Sequence, residues 1–206
     1  MNTGSARADP GVARSEFILG GQKSGKSRRA ELLARDWLAQ SGDHRAVLIA
    51  TAEAWDDEMR ERIARHQRDR ALRVPGLRTI EEPRDLAAAV ARHSAAHTLV
   101  VVDCLTLWLT HWTMPFGVET MDIEQKQALD HIWQAQAAMF FEAIRQSPGP
   151  VVLVGNEIGL GVIPMGREVR AFVDALGTLN QQVAQLCPRV TLMAAGLPLI
   201  LKEPRP

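Results

Sequence analysis

Glu16-Phe17-Ile18-Leu19-Gly20-Gly21-Gln22-Lys23-Ser24-Gly25-Lys26-Ser27 decides the fold. From Gly20 onward the stretch fits G-x-x-x-x-G-K-[ST]. A run of strand length stands before it, and Ser27 to Leu38, rich in Ala, Leu, Arg and Glu, reads as a helix after it. Strand, glycine loop and helix in that order form a phosphate cradle, because successive backbone amides and a helix N-terminus supply donors and positive potential. Gly20, Gly21, Gln22, Lys23, Ser24, Gly25, Lys26 and Ser27 are therefore nucleotide-binding candidates. Lys26 would bring its charge to the β- and γ-phosphates, and Ser27 would offer its hydroxyl to Mg²⁺.

Outward from that loop, short apolar runs alternate with longer segments of helical period, the pattern of a mostly parallel sheet flanked by helices. Strands are expected at Glu16 to Leu19, Ala46 to Ala50, Arg78 to Ile80, Leu99 to Val102, Val151 to Val154 and Val190 to Ala194. Leu99 to Val102 and Val151 to Val154 lack polar alternation, so they belong at the sheet centre, buried on both faces. Besides Ser27 to Leu38, helices are expected at Asp56 to Arg70, Asp122 to Gln146 and Glu168 to Leu186. The fold class is thus α/β, P-loop NTPase-like, as one domain over residues 16–206. The first fifteen residues are small, polar and interrupted by Pro10 and Gly11, and are expected to be a disordered tail.

A phosphate loop of this kind needs a carboxylate at the end of a central strand to hold Mg²⁺ or its water shell, and Asp103 follows the Leu99 to Val102 run. A second reading, Asp103 as cap of a helix over Leu105 to Leu109, is compatible with the first.

Composition narrows the class further. The chain has 206 residues, with twenty-four basic and twenty-four acidic side chains, so it lacks the basic footprint of a general nucleic-acid binder. The most apolar later run, Leu99 to Leu109, contains Asp103 and is too short for a membrane span. Cys104 and Cys187 have neither a metal-ligand spacing nor a disulfide framework, which fits buried thiols in a reducing cytoplasm. A GTP-dependent switch would need an Asn-Lys-x-Asp run, and Asn156-Glu157-Ile158-Gly159 has neither the Lys nor the Asp.

The order of motifs closely resembles one family. They are the Gly20 to Ser27 loop, Ile49-Ala50-Thr51-Ala52, Arg62-Ile63-x-x-His66, Thr79-Ile80-Glu81-Glu82-Pro83 and Asp103-Cys104-Leu105-Thr106-Leu107-Trp108-Leu109. Asn156-Glu157-Ile158-Gly159-x-Gly161-Val162-Ile163-Pro164, Arg170, Phe172, Asp174, Gly177, Asn180-Gln181 and Gly196-Leu197-Pro198 continue the series. Together, from about Glu16 to Lys202, they resemble the bifunctional adenosylcobinamide kinase/adenosylcobinamide-phosphate guanylyltransferases. Gln67 stands where that family commonly has Lys, Ala71 where it has Pro, and Val173 where it has Arg.

The resemblance implies two reactions. ATP or GTP phosphorylates adenosylcobinamide, then GMP passes from GTP to adenosylcobinamide phosphate through a guanylyl-histidine. It implies His66 as the nucleophile, with Lys26 as the other catalytic residue. A neutral imidazole is available near pH 7, since its ordinary pKa is about 6.5. It implies nucleotide contacts from Ala50, Thr51, Ala52, Gln67, Arg68, Asp69, Arg70, Glu81 and Asp103, with Mg²⁺ at Ser27 and Asp103. A carboxylate such as Glu81 suits the donor edge of guanine. A homo-oligomer, a trimer in this family, is implied as well. Asp56, Asp57 and Glu157 are all open as the base of the kinase step, and the other histidines, His44, His93, His97, His111 and His131, fall outside the catalytic motif.

Overall fold

The computed structural model describes residues 12–54, 57–115 and 117–204, without the side chains of Met59, Arg62 and Glu119. The strands are β1 (Ser15–Gly20), β2 (Arg45–Ala50), β3 (Leu77–Glu81), β4 (Thr98–Asp103), β5 (Val151–Asn156), β6 (Arg189–Ala194) and β7 (Leu197–Lys202). The helices are α1 (Lys26–Gln40), α2 (Asp57–Arg73), α3 (Leu86–His93), α4 (Leu105–Thr113), α5 (Ile123–Gln146) and α6 (Arg167–Leu186), with one 3₁₀ turn at Val118–Thr120. The strands lie in the order β3-β2-β4-β5-β1-β6-β7, all parallel except β7, which pairs antiparallel with β6. This is an α/β sheet flanked by helices, as the sequence led us to expect.

The central strands have no polar face because both faces are covered. Phe17, Val100, Val102 and Leu153 point into a core shared with α3, α4, α5 and α6, around Trp108, Trp133 and Phe140. Their neighbours Ile18, Val101, Val152 and Val154 point the other way, onto Ala30, Leu33 and Ala34 of α1. Successive strand side chains alternate between faces, so a continuous Val/Leu/Ile run fills two cores at once. Asp122 and Gln125 make a reciprocal capping box that starts α5, and Asp85 caps α3 by accepting from the Ala88 amide. Among the described residues, no helix is long and apolar enough to cross a membrane.

α3 and β7 are not among the elements expected from the sequence. β7 follows a turn in which Ala195 (φ 51°) and Gly196 (φ 81°) both have positive φ, the backbone of a tight two-residue hairpin. Part of the expected tail belongs to the fold. Residues 1–11 lie outside the described residues, but Ser15 opens β1, and the Val151 amide donates to the Arg14 carbonyl at 3.0 Å.

A cluster of charges sits inside the sheet. Glu16, fully buried on β1, accepts from Thr191 Oγ1 at 2.8 Å and faces Arg29 of α1 at 3.0 Å and Arg189 at 3.8 Å. Removing one member of a buried ion cluster leaves its partners uncompensated, at a cost of about 3–5 kcal/mol. Glu16→Ala should therefore lower Tm by about 10 °C in a thermal melt, given roughly 2–4 °C per kcal/mol for chains of this size. A change under about 2 °C would show that the cluster contributes little.

Candidate active site

The phosphate loop occupies the turn from β1 into α1, and its backbone accounts for its glycines. Gly20 (φ 151°) is closed to any larger residue, since a Cβ there would stand 2.5 Å from the Met193 carbonyl oxygen and 2.6 Å from Ser24 Oγ. Gly25, at the N-cap of α1, has φ 102°, a left-handed conformation that suits glycine. The loop is fastened from two sides. The Gly196 amide, in the β6–β7 turn, donates to the Ser24 carbonyl at 3.0 Å, and the Glu157 amide, just past β5, donates to the Gly20 carbonyl at 3.1 Å. No side chain caps α1, so its first amides face the loop that a phosphate would enter. Gly21, Gln22 and Lys23 are exposed at the loop tip, while Ser24 and Lys26 are buried.

Lys26 opens α1 and donates to the Gly21 carbonyl at 2.6 Å. Burial lowers its pKa, against the pull of Cys104 and Asp103. Asp103, the last residue of β4, moves the opposite way. Burial raises its pKa, opposed by a hydrogen bond from Ser27 and by the charges of Arg70 and Lys26, while Glu31 adds to the rise. Ser27 and Asp103 thus meet as two hard oxygen donors beside the loop. That donor set fits Mg²⁺, which binds through few protein oxygens and keeps waters and phosphates as its remaining ligands. The buried Cys104 thiol is pushed up to about 11 by burial and by Asp103, which makes it inert near neutrality.

Asp103 is not a helix cap: the N-cap of α4 is Cys104, without a side-chain cap bond. Thr51 positions this corner instead. Its hydroxyl accepts from the Cys104 amide at 2.8 Å and donates to the Cys104 carbonyl at 2.7 Å, and its own amide donates to the Asp103 carbonyl at 3.1 Å. Its side chain and amide therefore brace the strand end that carries Asp103. Thr106 accepts from the Asn156 amide, and Asn180 donates to the Asn156 carbonyl, so residues of three sequence motifs form one hydrogen-bonded floor.

At the same edge of the sheet, with β4 and β5 between it and β1, a cleft of about 720 Å³ opens between the end of β2, α2 and the end of β3. Ala52, Gln67 and Glu81 line it, and Gln67 Nε2 donates to Glu81 Oε1 at 3.1 Å. The residue that stands in place of the common Lys is thus tied to the carboxylate proposed for guanine. Glu53 also lines this cleft and is held by the half-buried His111, whose Nδ1 is 3.1 Å from Glu53 Oε2. Burial and the charge of Arg84 lower the His111 pKa, against the pull of Glu53. The sequence reading set His111 aside and did not name Glu53; no local pattern links β2 to α4.

The remaining candidates separate along α2. His66, Arg68 and Asp69 are exposed and line neither this cleft nor the other large cavity. Ala50 is half-buried at the end of β2. Arg70, expected to touch nucleotide, turns inward: its Nε donates to Glu31 Oε1 and its NH1 to Thr79 Oγ1, each at 3.2 Å. Arg73 takes the other Glu31 oxygen at 2.8 Å. Arg70 therefore joins α2 to α1 and lends charge to Asp103 from beneath. Asp56 lies outside the described residues.

Comparison with known proteins decides what this site belongs to. The family described as cobinamide kinase / cobinamide phosphate guanyltransferase matches residues 16–201. The chain belongs to that family. It is 44% identical over 187 residues to the bifunctional adenosylcobalamin biosynthesis protein CobP of Pseudomonas aeruginosa, covering 91% of this chain and 96% of the relative. It is 33% identical to the bifunctional adenosylcobalamin biosynthesis protein CobU of Escherichia coli K12, covering 90% and 98%. Among solved structures, the flagellar accessory protein FlaH of Methanocaldococcus jannaschii aligns with TM-score 0.50 at 12% identity, covering 94% of this chain and 80% of that one, a likeness of fold alone.

The inward turn of Arg70 is testable beside its exposed neighbours. Charge-assisted buried hydrogen bonds contribute about 1.5–3 kcal/mol, so Arg70→Ala should lower Tm by about 6 °C. Arg68→Ala and Asp69→Ala should each leave it within about 2 °C. Equal effects at all three positions would contradict the placement of Arg70.

Proposed function

We propose that the chain catalyses two successive transfers in cobalamin biosynthesis: phosphorylation of adenosylcobinamide by ATP or GTP, then transfer of GMP from GTP to adenosylcobinamide phosphate. The observation that carries this reading is the phosphate loop with Lys26, Ser27 and Asp103 at its mouth, in a chain whose family match spans residues 16–201. In the first step the aminopropanol hydroxyl of the corrinoid attacks the γ-phosphorus, and the nucleoside diphosphate leaves. Lys26 and the loop amides hold the transferring group and the developing charge. Mg²⁺ held by Ser27 and Asp103 would neutralise phosphate charge. Of the two candidate bases among the described residues, Glu157 stands at the loop, its amide hydrogen-bonded to the Gly20 carbonyl, and is the better placed to take the hydroxyl proton, whereas Asp57 is paired with Arg60.

In the second step an imidazole nitrogen of His66 attacks the α-phosphorus of GTP and pyrophosphate leaves, giving a phosphoramidate. An oxygen of adenosylcobinamide phosphate then attacks the same phosphorus. The P–N bond breaks, adenosylcobinamide-GDP departs and His66 is regenerated. The cleft lined by Glu81, Gln67 and Glu53 offers carboxylate acceptors for the N1–H and N2–H₂ donors of guanine. Ala52 lines that cleft, and Ala50 on β2 with Arg68 and Asp69 on α2 are taken as further nucleotide contacts from the family pattern.

We also propose a cytoplasmic homo-oligomer, a trimer. Self-association is supported by β7, an edge strand that exposes Leu197, Leu199 and Leu201 beside an unpaired backbone edge.

Two measurements test this reading. His66→Asn should reduce guanylyl transfer by at least about a thousandfold through loss of the nucleophile, while phosphorylation of adenosylcobinamide persists. Loss of both activities in a folded variant would make His66 a shared binding residue and remove the main support for a covalent route. Because burial raises the pKa of Asp103, protons should compete with Mg²⁺ at a higher pH than at an ordinary carboxylate. The Mg²⁺ concentration for half-maximal kinase activity should therefore rise as pH falls toward that pKa. In Asp103→Asn the requirement should be raised at every pH and lose this dependence; an unchanged profile would assign the metal to another group.

A further inference from the structure

The loop between β5 and α6 carries bulky apolar side chains into solvent. Leu160, Val162, Ile163 and Met165 are between 78% and 96% exposed. The loop is nonetheless fastened at both ends. The Glu157 amide bonds to Gly20 of the phosphate loop, and Glu157 Oε1 accepts from the Gly159 amide at 2.7 Å. At the far end Arg170 NH1 donates to the Pro164 carbonyl at 2.9 Å and to the Met165 carbonyl. An anchored row of exposed apolar side chains starting at a phosphate site marks a contact surface.

The same loop leads into the first turns of α6, which form one wall of a cavity of about 1170 Å³. The end of α4 and the start of α5 supply the other walls, and Trp112, Met114, Ile123, Leu129, Ala171 and Phe172 make the lining largely apolar. Its size exceeds the roughly 300–1,000 Å³ usual for compact ligands. Among the described residues lining it, Asp122, Glu124, Asp130 and Glu168 outnumber Lys126 and Arg167. An acidic excess disfavours a nucleotide, which is a polyanion, and favours a cation with broad apolar faces. Adenosylcobinamide has that chemistry. Its corrin macrocycle is large and presents apolar surface around the axial ligands, and trivalent cobalt outweighs the corrin and adenosyl anions, leaving a net positive charge.

We infer that this cavity and the 158–165 loop together seat the corrinoid, the loop forming the apolar track along which the aminopropanol arm reaches the phosphate loop. The inference rests on the function proposed above and adds the place of the acceptor, separate from both nucleotide regions. Phe172 and Trp112 offer flat aromatic surfaces to the ring, and the carboxylates offer acceptors to its fringe of amides.

The test uses the whole chain with two variants, Ile163→Ser on the exposed loop and Ala171→Trp, which fills the cavity. Equilibrium dialysis of cobinamide without nucleotide, read by its visible absorbance, should show affinity falling about tenfold in each, the loss expected for one apolar contact or a blocked volume. KM for adenosylcobinamide should rise in parallel, while KM for GTP stays within about twofold and reports that the phosphate loop is intact. Unchanged cobinamide affinity in both variants would overturn the inference. So would a change of oligomeric state by light scattering in Ile163→Ser, which would make the loop an interface between copies. A wild-type chain that neither binds nor phosphorylates the corrinoid would instead overturn the proposed function itself.

Discussion

Parallel pairing sets the register on which the site depends. Gly20 of β1 lies beside Asn156 of β5, Asp103 of β4 beside Val154 of β5, and Ala50 of β2 beside Asp103. Four strands therefore finish at one edge, β2 and β4 two residues short of β1 and β5, and each delivers its next residues there: the phosphate loop, Glu157, Cys104 and Thr51. Parallel strands all point their carboxyl ends to one side, which is why ligands of such sheets gather there. A slip of one residue would turn every side chain to the opposite face and break the division of Ile18 and Phe17 between two cores.

Electrostatics ties the helices to that edge. Glu31 of α1 is buried and shared between Arg70 and Arg73 of α2. The helix that begins with Lys26 is thereby fastened to the helix that carries His66. The charge of Arg70 also reaches Asp103, where it opposes the desolvation that favours the protonated acid. Moving α2 would disturb the carboxylate at the end of β4 as well as the imidazole exposed on the helix. The two regions proposed for the two transfers are mechanically linked through these buried ion pairs.

What could be read from sequence divides along physical lines. The central strands were legible because burial on both faces removes polar residues from Val100-Val101-Val102 and Val151-Val152-Leu153-Val154. The phosphate loop was legible because its conformation demands glycine at Gly20 and Gly25. β7 was not, since Leu197-Pro198-Leu199-Ile200-Leu201 is an exposed edge strand with neither alternation nor a buried face, and only pairing with β6 organises it. The inward turn of Arg70 was not legible for a related reason. On a basic helix, nothing local distinguishes an arginine aimed at a ligand from one aimed at a buried Glu31. Glu53 and His111 meet only because β2 and α4 end at the same place. The resemblance to a family identified the chemistry, while the tertiary contacts revealed which of its residues brace and which line the open clefts.

The covalent step is the most exposed part of the account. Incubating the wild-type chain with GTP labelled at the α-phosphate, then locating the label by peptide mass spectrometry, tests it directly. The account predicts one acid-labile GMP on the peptide of α2 that carries His66, released on addition of adenosylcobinamide phosphate. Absence of any protein-bound GMP, or its attachment at another residue, would contradict it.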